Sequence, residues 1–185
     1  AATLVGLNAL FETHLDTHAL CEIGLMLGAD VPFCIVGGSV LAVGIGEIFQ
    51  PLPSLPKCHI VIAKPPSGIS TEQAYTLFDN APPSRRPDND SLAAAVAAGS
   101  LAEVGRLMCN VLEDVCSLQE ISAIKAQMLA EGACGALMSG SGSAVFGLFE
   151  SKSSAKRCVS VLKEQYAETF LTSPCAHGVS VLSQS

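Results

Sequence analysis

The stretch Leu27-Gly28-Ala29-Asp30-Val31-Pro32-Phe33 closes one helical pattern and leads into chain punctuated by Gly37-Gly38 and Gly44-Ile45-Gly46-Glu47. Upstream, Leu20, Ile23 and Leu27 recur at helical spacing over residues 17–27, with Asp16 or Thr17 as N-cap and Gly28 as the stop. A further helix is predicted over residues 2–11 from Leu4, Leu7, Leu10 and Phe11. Downstream, the apolar runs 33–36 and 39–43 around Gly37-Gly38 predict a hairpin, which residues 48–52 extend. Asp30 thus falls between a helix and a strand pair. A carboxylate there has two readings. It can close an Asx turn before Pro32, or it can orient a substrate hydroxyl as a general base in phosphoryl transfer.

Pro51, Pro53 and Pro56 make a stiff connection. The expected division is therefore a first domain over 1–52, a linker over 53–57 and a second domain over 58–185. Residues 58–63 read as a buried strand. Pro65-Pro66-Ser67-Gly68 breaks it, and Ser70 with Gln73 forms a capping box for a helix running to Phe78. The proline-rich residues 80–89 read as a surface loop. Three helices follow, led by Asp90 (91–98), by Ser100 with Glu103 (101–112) and by Ser117 with Glu120 (118–130). Strands over 135–138 and 145–149 flank a small-residue turn. A helix over 153–166, with Ala155, Cys158, Val161 and Leu162 inward, and a last strand over 179–182 complete the order. That order predicts an α+β fold, an antiparallel sheet with helices on one face, of ferredoxin-like type.

Composition narrows the function. Apolar residues make up 49% of the 185 positions and charged residues only 15%, against a usual charged share of about 25%. A net charge of −7 opposes DNA, RNA or an anionic membrane as partner. The 8 cysteines show no C-x-x-C spacing and no zinc-like pairing with histidine. They read as reduced thiols of a cytoplasmic protein. His14 and His18 lie four apart without a third ligand, so no metal site is expected. No apolar run reaches the length of a membrane span, and residues 1–11 lack the basic start of a signal peptide.

The turn Met138-Ser139-Gly140-Ser141-Gly142-Ser143-Ala144 is the second candidate. It can be a tight hairpin that needs glycine for positive φ. It can also let backbone amides approach an anion, with Ser139, Ser141 and Ser143 adding hydroxyls. It is neither a Walker A loop nor a Rossmann fingerprint.

Four segments in order make the pattern specific. They are G-A-D-V-P-F from Gly28, G-G-x-x-x-A-x-G-x-G-E from Gly37, K-P-P-x-G-x-S-T from Lys64, and A-L-M-S-G-S-G-x-x-V-F-G from Ala136. Together they resemble the GHMP small-molecule kinases. Within them they are most similar to the family that phosphorylates the 2-hydroxyl of a cytidylyl-methylerythritol substrate in non-mevalonate isoprenoid synthesis. The resemblance implies a ribosomal-protein-S5-like N-terminal domain, present in part, joined to a ferredoxin-like α/β sandwich. It implies ATP and Mg2+ as cofactors, a small-molecule cytidylyl substrate, and no nucleic-acid or membrane partner. Asp30 takes the position of the catalytic Asp. Ser139, Gly140, Ser141 and Gly142 take that of the motif beside the nucleotide phosphates, and Thr71 and Tyr75 line the substrate pocket, Tyr75 against the cytosine. Lys64 is read as a phosphate contact or a surface lysine at a strand end.

The family's catalytic Lys and its G-L-G-G-G-S-S loop have no counterpart here, and Ser143-Ala144 replaces the more usual Pro-Thr. The chain is therefore expected to be an N-terminally incomplete member, inactive alone. A homoserine or mevalonate type of GHMP kinase is the nearest alternative, and a non-catalytic ferredoxin-like binding module is another.

Overall fold

A computed structural model describes residues 1–81, 85–116 and 118–182. The chain forms two compact units, Ala1–Ser54 together with the tail from Cys175, and Leu55–Pro174.

The first unit opens with α1 (Ala2–Leu10) and α2 (Thr17–Leu27). Asp16 caps α2 by accepting a hydrogen bond from the Ala19 amide at 2.8 Å, and Gly28 ends it, as the sequence predicts. The predicted strand at residues 33–36 is instead helical, in α3 (Val31–Val36). Pro32 sits in its first turn, where the fixed φ suits a helix and the missing N–H has no partner to lose. A short apolar run is equally compatible with helix and strand, and here the proline decides. The hairpin therefore lies one step further on. β1 (Val40–Val43) pairs antiparallel with β2 (Ile48–Pro51), Val43 opposite Ile48.

α3 is held from two sides. Phe33 meets Phe49 of β2 edge to face, with ring centroids 6.2 Å apart. On the other side, the predicted strand at 179–182 is absent. The tail instead donates the Gly178 amide to Val36 O at 3.2 Å and the Val179 amide to Cys34 O at 3.1 Å. Those carbonyls belong to the last turn of a helix, where intrahelical donors run out. The approach needs two glycines: a Cβ on Gly178 would fall 2.3 Å from Ile35 O, and one on Gly37 2.0 Å from Gly178 N.

The second unit is a four-stranded antiparallel sheet in the order β4-β5-β3-β6. β3 is His59–Lys64, β4 Gly135–Met138, β5 Val145–Phe149 and β6 Glu168–Thr172. β6 has no counterpart in the predicted elements. Its alternation is short, and its inward positions are Thr169 and Leu171. Lys64 faces Glu168 across the β3–β6 pair, and the two form an ion pair at 3.2 Å. That favours the surface reading of Lys64.

Strand alternation sends side chains to opposite faces, and here both faces are used. Val61, Ala63, Val145 and Phe149 pack under α7 (Gln119–Ala130) and α8 (Lys152–Lys163), against Ile124, Met128, Ala155, Cys158 and Leu162. Ile60, Leu137, Phe146 and Leu148 pack against α5 (Asn89–Ala97) and α6 (Leu101–Leu107) through Val96, Leu101 and Val104. The expectation of helices on one face is thus corrected. Gly105 of α6 makes the second layer possible, because a Cβ there would sit 2.3 Å from Cys134 O.

The helix starts follow capping chemistry. Ser70 and Gln73 form the predicted capping box of α4 (Thr71–Asn80). Asp88, not Asp90, caps α5, taking the Ser91 amide at 3.0 Å. Ser100 caps α6, but that helix ends at Leu107 rather than at residue 112. The predicted cap Ser117 lies outside the described residues. Among the described residues no helix is long and apolar enough to cross a membrane.

Candidate functional site

Asp30 occupies the N-cap position of α3, with φ −83° and ψ −14°. It is exposed, and its side chain makes no capping hydrogen bond. The Asx-turn reading therefore finds no bond to rest on, and the carboxylate faces solvent with nothing in its own helix to occupy it.

The turn between β4 and β5 is built by two backbone bonds. Ser139 N–H donates to Ala144 O at 2.8 Å, and Gly142 N–H to Ser139 O at 2.9 Å. Gly142 holds φ 93°, and a Cβ on it would lie 2.8 Å from Met138 Sδ. A Cβ on Gly140 would meet open space. Among the described residues, the amides of Gly140 and Ser141 donate to no backbone acceptor. Ser143 is only 4% exposed, yet its hydroxyl has no hydrogen-bond partner among the described residues. Such an orphan costs about 1–3 kcal/mol unless something else satisfies it.

Thr71, the first residue of α4, reaches this turn: its Oγ1 lies 2.9 Å from Ser141 Oγ. The structure thus brings a predicted substrate residue and a predicted nucleotide residue into one hydrogen bond. Tyr75 lies four positions further along α4, on the same helix face as Thr71, and is 55% exposed. Its ring is not consumed by core packing. A hollow beside the same helix is lined by Ile69, Ser70, Glu72, Gln73, Thr76 and Leu77, not by Thr71 or Tyr75.

Three residues that sequence reasoning passed over shape the turn. Asn110 starts the 3-10 segment Val111–Val115, taking the Leu112 amide on its Oδ1 at 3.0 Å. Its Nδ2 donates to Met138 O at 2.9 Å and to Gly140 O at 2.8 Å. Glu113 Oε1 accepts from the Met138 amide at 2.6 Å, and its Oε2 pairs with Lys125 Nζ at 2.6 Å. β4 is an edge strand, so the outward amide and carbonyl of Met138 find side chains instead of a neighbouring strand. An N-cap residue type ahead of Val111-Leu112 was the available signal for Asn110. Nothing local marks Glu113 or Lys125.

Serine hydroxyls also hold nearby carboxylates. Ser67 donates to Glu120 Oε1 at 2.6 Å and draws the Glu120 carboxyl below its ordinary range. Among the described residues, no group of three His, Cys, Asp or Glu side chains is arranged to hold a metal ion.

Residues 92–168 match the family model described as GHMP kinases C terminal. Over 177 residues the chain is 42% identical to the 4-diphosphocytidyl-2-C-methyl-D-erythritol kinase of Caldicellulosiruptor saccharolyticus, covering 95% of this chain and 61% of that protein. The enzyme of the same name from Moorella thermoacetica is 44% identical, with 93% and 62% covered. The chain thus spans about three fifths of the length of these relatives. A crystal structure of 4-(cytidine 5'-diphospho)-2C-methyl-D-erythritol kinase superposes with a TM-score of 0.74 at 30% identity, covering 91% of this chain and 60% of the other. A homoserine kinase from Cytophaga hutchinsonii superposes with a TM-score of 0.73 at 19% identity, covering 93% and 62%. That second likeness shows the fold alone.

Proposed function

From the match of residues 92–168 to GHMP kinases C terminal, we propose that the protein carrying the chain phosphorylates an alcohol with ATP. The alcohol is the 2-hydroxyl of 4-diphosphocytidyl-2-C-methyl-D-erythritol, and the product feeds non-mevalonate isoprenoid synthesis. The observation that carries this reading is the 42% identity over 177 residues to a kinase of that name, a run of chain that includes nearly every position discussed above. A homoserine or mevalonate substrate has only the shared fold in its favour. In this reading residues 1–52 belong to the nucleotide-binding domain and 53–57 link it to the second domain, and the reaction takes place in the cytoplasm.

The chemistry follows from the groups on hand. Asp30 holds the reacting hydroxyl and takes its proton. Its carboxylate has no competing cap bond to break first. The Gly140 and Ser141 amides, with the Ser139 and Ser141 hydroxyls, stand beside the nucleotide phosphates. Glycine at 140 leaves open space where a side chain would stand. Thr71 and Tyr75 meet the cytidylyl group, Tyr75 through the face of its ring. Phosphoryl transfer needs positioning and charge stabilisation more than covalent help, and these groups provide both. Magnesium ordinarily binds such sites through substrate phosphates and one or two carboxylates. The described residues form no metal cage of their own, so no step is assigned to the ion.

The test follows phosphomonoester formation by phosphorus NMR in protein carrying this chain, supplied with MgATP and the cytidylyl-methylerythritol alcohol. Asp30→Asn should lower turnover by about 10²–10⁴-fold, the usual worth of a positioned base, with an unchanged circular dichroism spectrum. Undiminished turnover in that variant removes Asp30 from its role. Phosphorylation of homoserine in preference to the cytidylyl alcohol overturns the substrate.

A further inference from the structure

The amide of one side chain, Asn110, binds two carbonyls that bracket Ser139: Met138 O at 2.9 Å and Gly140 O at 2.8 Å. An anion is repelled by carbonyl oxygens and attracted by N–H groups. A turn that is to receive a phosphate must therefore keep its carbonyls turned away and its amides turned out. A glycine-rich turn has no intrinsic preference for that arrangement, since glycine visits both signs of φ freely. Two donated bonds on one side of the turn impose it.

We infer that Asn110 is a positioning residue for the Ser139–Ser143 turn, fixing the Met138 and Gly140 carbonyls on the Asn110 side so that the Gly140 and Ser141 amides remain available to a nucleotide phosphate. The inference rests on the nucleotide reading of this turn given above. Three further observations support it. Asn110 is itself anchored, because its Oδ1 accepts the Leu112 amide at 3.0 Å. The 3-10 segment that carries it is tied to the same strand a second time, through Glu113 Oε1 and the Met138 amide at 2.6 Å. Glu113 is in turn held by Lys125 of α7, in an ion pair of 2.6 Å whose side chains are 28% and 17% exposed. The chain of contacts runs from a helix on the core, through a partly buried ion pair, to the rim of the turn. The free amides and the bound carbonyls alternate along one short loop, which is the pattern a preorganised anion cradle requires.

Asn110→Asp, paired with Asn110→Ala, tests this in protein carrying this chain. Asn110→Asp preserves the shape and the acceptor for the Leu112 amide, replaces the two donated bonds with a carboxylate oxygen set against two carbonyls, and adds a charge that the neutral Asn110→Ala variant lacks. Hydrogen exchange should accelerate at least tenfold at the Ser139 and Gly142 amides, which close the turn, and stay unchanged at the Ala155 amide at the start of α8. MgATP affinity, read from amide shifts of Gly140 and Ser141, should fall about tenfold. Asn110→Ala, which also removes the cap, should do the same and in addition expose the Leu112 amide. Unchanged exchange at Ser139 and Gly142 in Asn110→Asp overturns the inference, as does equal acceleration at Ala155, which would mark a merely structural residue. Loosening of the turn while wild-type Gly140 and Ser141 shifts ignore MgATP would leave Asn110 as the turn's anchor and sink the nucleotide reading instead.

Discussion

The Thr71 hydroxyl lies 2.9 Å from the Ser141 hydroxyl, joining the first residue of α4 to the glycine turn across a separation of 70 positions. Either oxygen can donate, so the bond survives as long as both hydroxyls are present. It ties the helix proposed to carry the cytidylyl contact to the turn proposed to carry the phosphate contact. Thr71→Val, Ser141→Ala and the double variant form a cycle. Each single change should cost about 0.5–1 kcal/mol in urea unfolding, with a coupling energy of about 0.5 kcal/mol or more between them. Strict additivity would mean that the two hydroxyls do not interact in solution.

The tail clasp on α3 should be as sensitive to volume as a packed core. Gly178→Val places side-chain atoms where Ile35 O already stands 2.3 Å from a first Cβ. The expected loss is about 1–3 kcal/mol, accompanied by faster hydrogen exchange at Val179, whose amide is bonded to Cys34 O. Gly68→Val serves as the control, because a Cβ at Gly68 meets nothing within 4 Å. Equal stability of the two variants would show that the tail does not hold α3. Asp30 stands at the other end of that short helix, so the clasp bears on the candidate base as well.

Ser143 invites a change that improves stability. Its buried hydroxyl has no partner among the described residues. Ser143→Ala removes the orphan while leaving the backbone alone, and should stabilise the chain by up to about 1 kcal/mol, a rise of about 2–4 °C in Tm for a chain of this size. Differential scanning calorimetry reads this directly. A drop of 1 kcal/mol or more would reveal a partner for the hydroxyl.

Alkaline pH should weaken the fold through Cys158. Burial, with help from the Glu131 charge, pushes its thiol up from 9.0 to about 11. In the window between those values the unfolded chain releases this proton and the folded chain keeps it. The unfolded state then binds fewer protons, so stability falls as pH rises through that window. Urea midpoints measured from pH 8 to pH 10.5 should decline, and Cys158→Ala should flatten the decline. Thiol-specific alkylation at pH 8 should label exposed Cys34 before buried Cys158. A pH-independent midpoint in the wild type would contradict the burial argument.

Local chemistry was legible wherever one residue type settles a local choice. Asp16, Ser70 with Gln73, and Ser100 start the helices at the places their short side chains predict. The glycine turn falls between two strands, with Met138 opposite Val145. The misreadings share a cause. Residues 33–36 fit either structure by composition, and Pro32 tipped them into α3. Residues 179–182 look like a strand, but the Val179 amide, like that of Gly178 before it, goes to the carbonyl end of α3. β6 is not legible in the sequence because it owes its place to β3, where Val61 pairs with Leu171.

By itself the sequence determined the family resemblance, carried by four ordered segments, the order of most elements, the caps Asp16, Ser70 and Ser100, and the glycine turn. The caps and the turn depend on residues within a few positions of one another. Only the tertiary structure decided that Thr71 meets Ser141, that Asn110 and Glu113 bind the edge of β4, that Gly178 closes on α3, and that both faces of the second sheet are covered. Each of those contacts joins segments far apart in sequence. Their partners are chosen by which donors and acceptors remain unpaired after the local bonds are made, and by which backbones can approach closely where a Cβ is missing. No window of sequence contains that information.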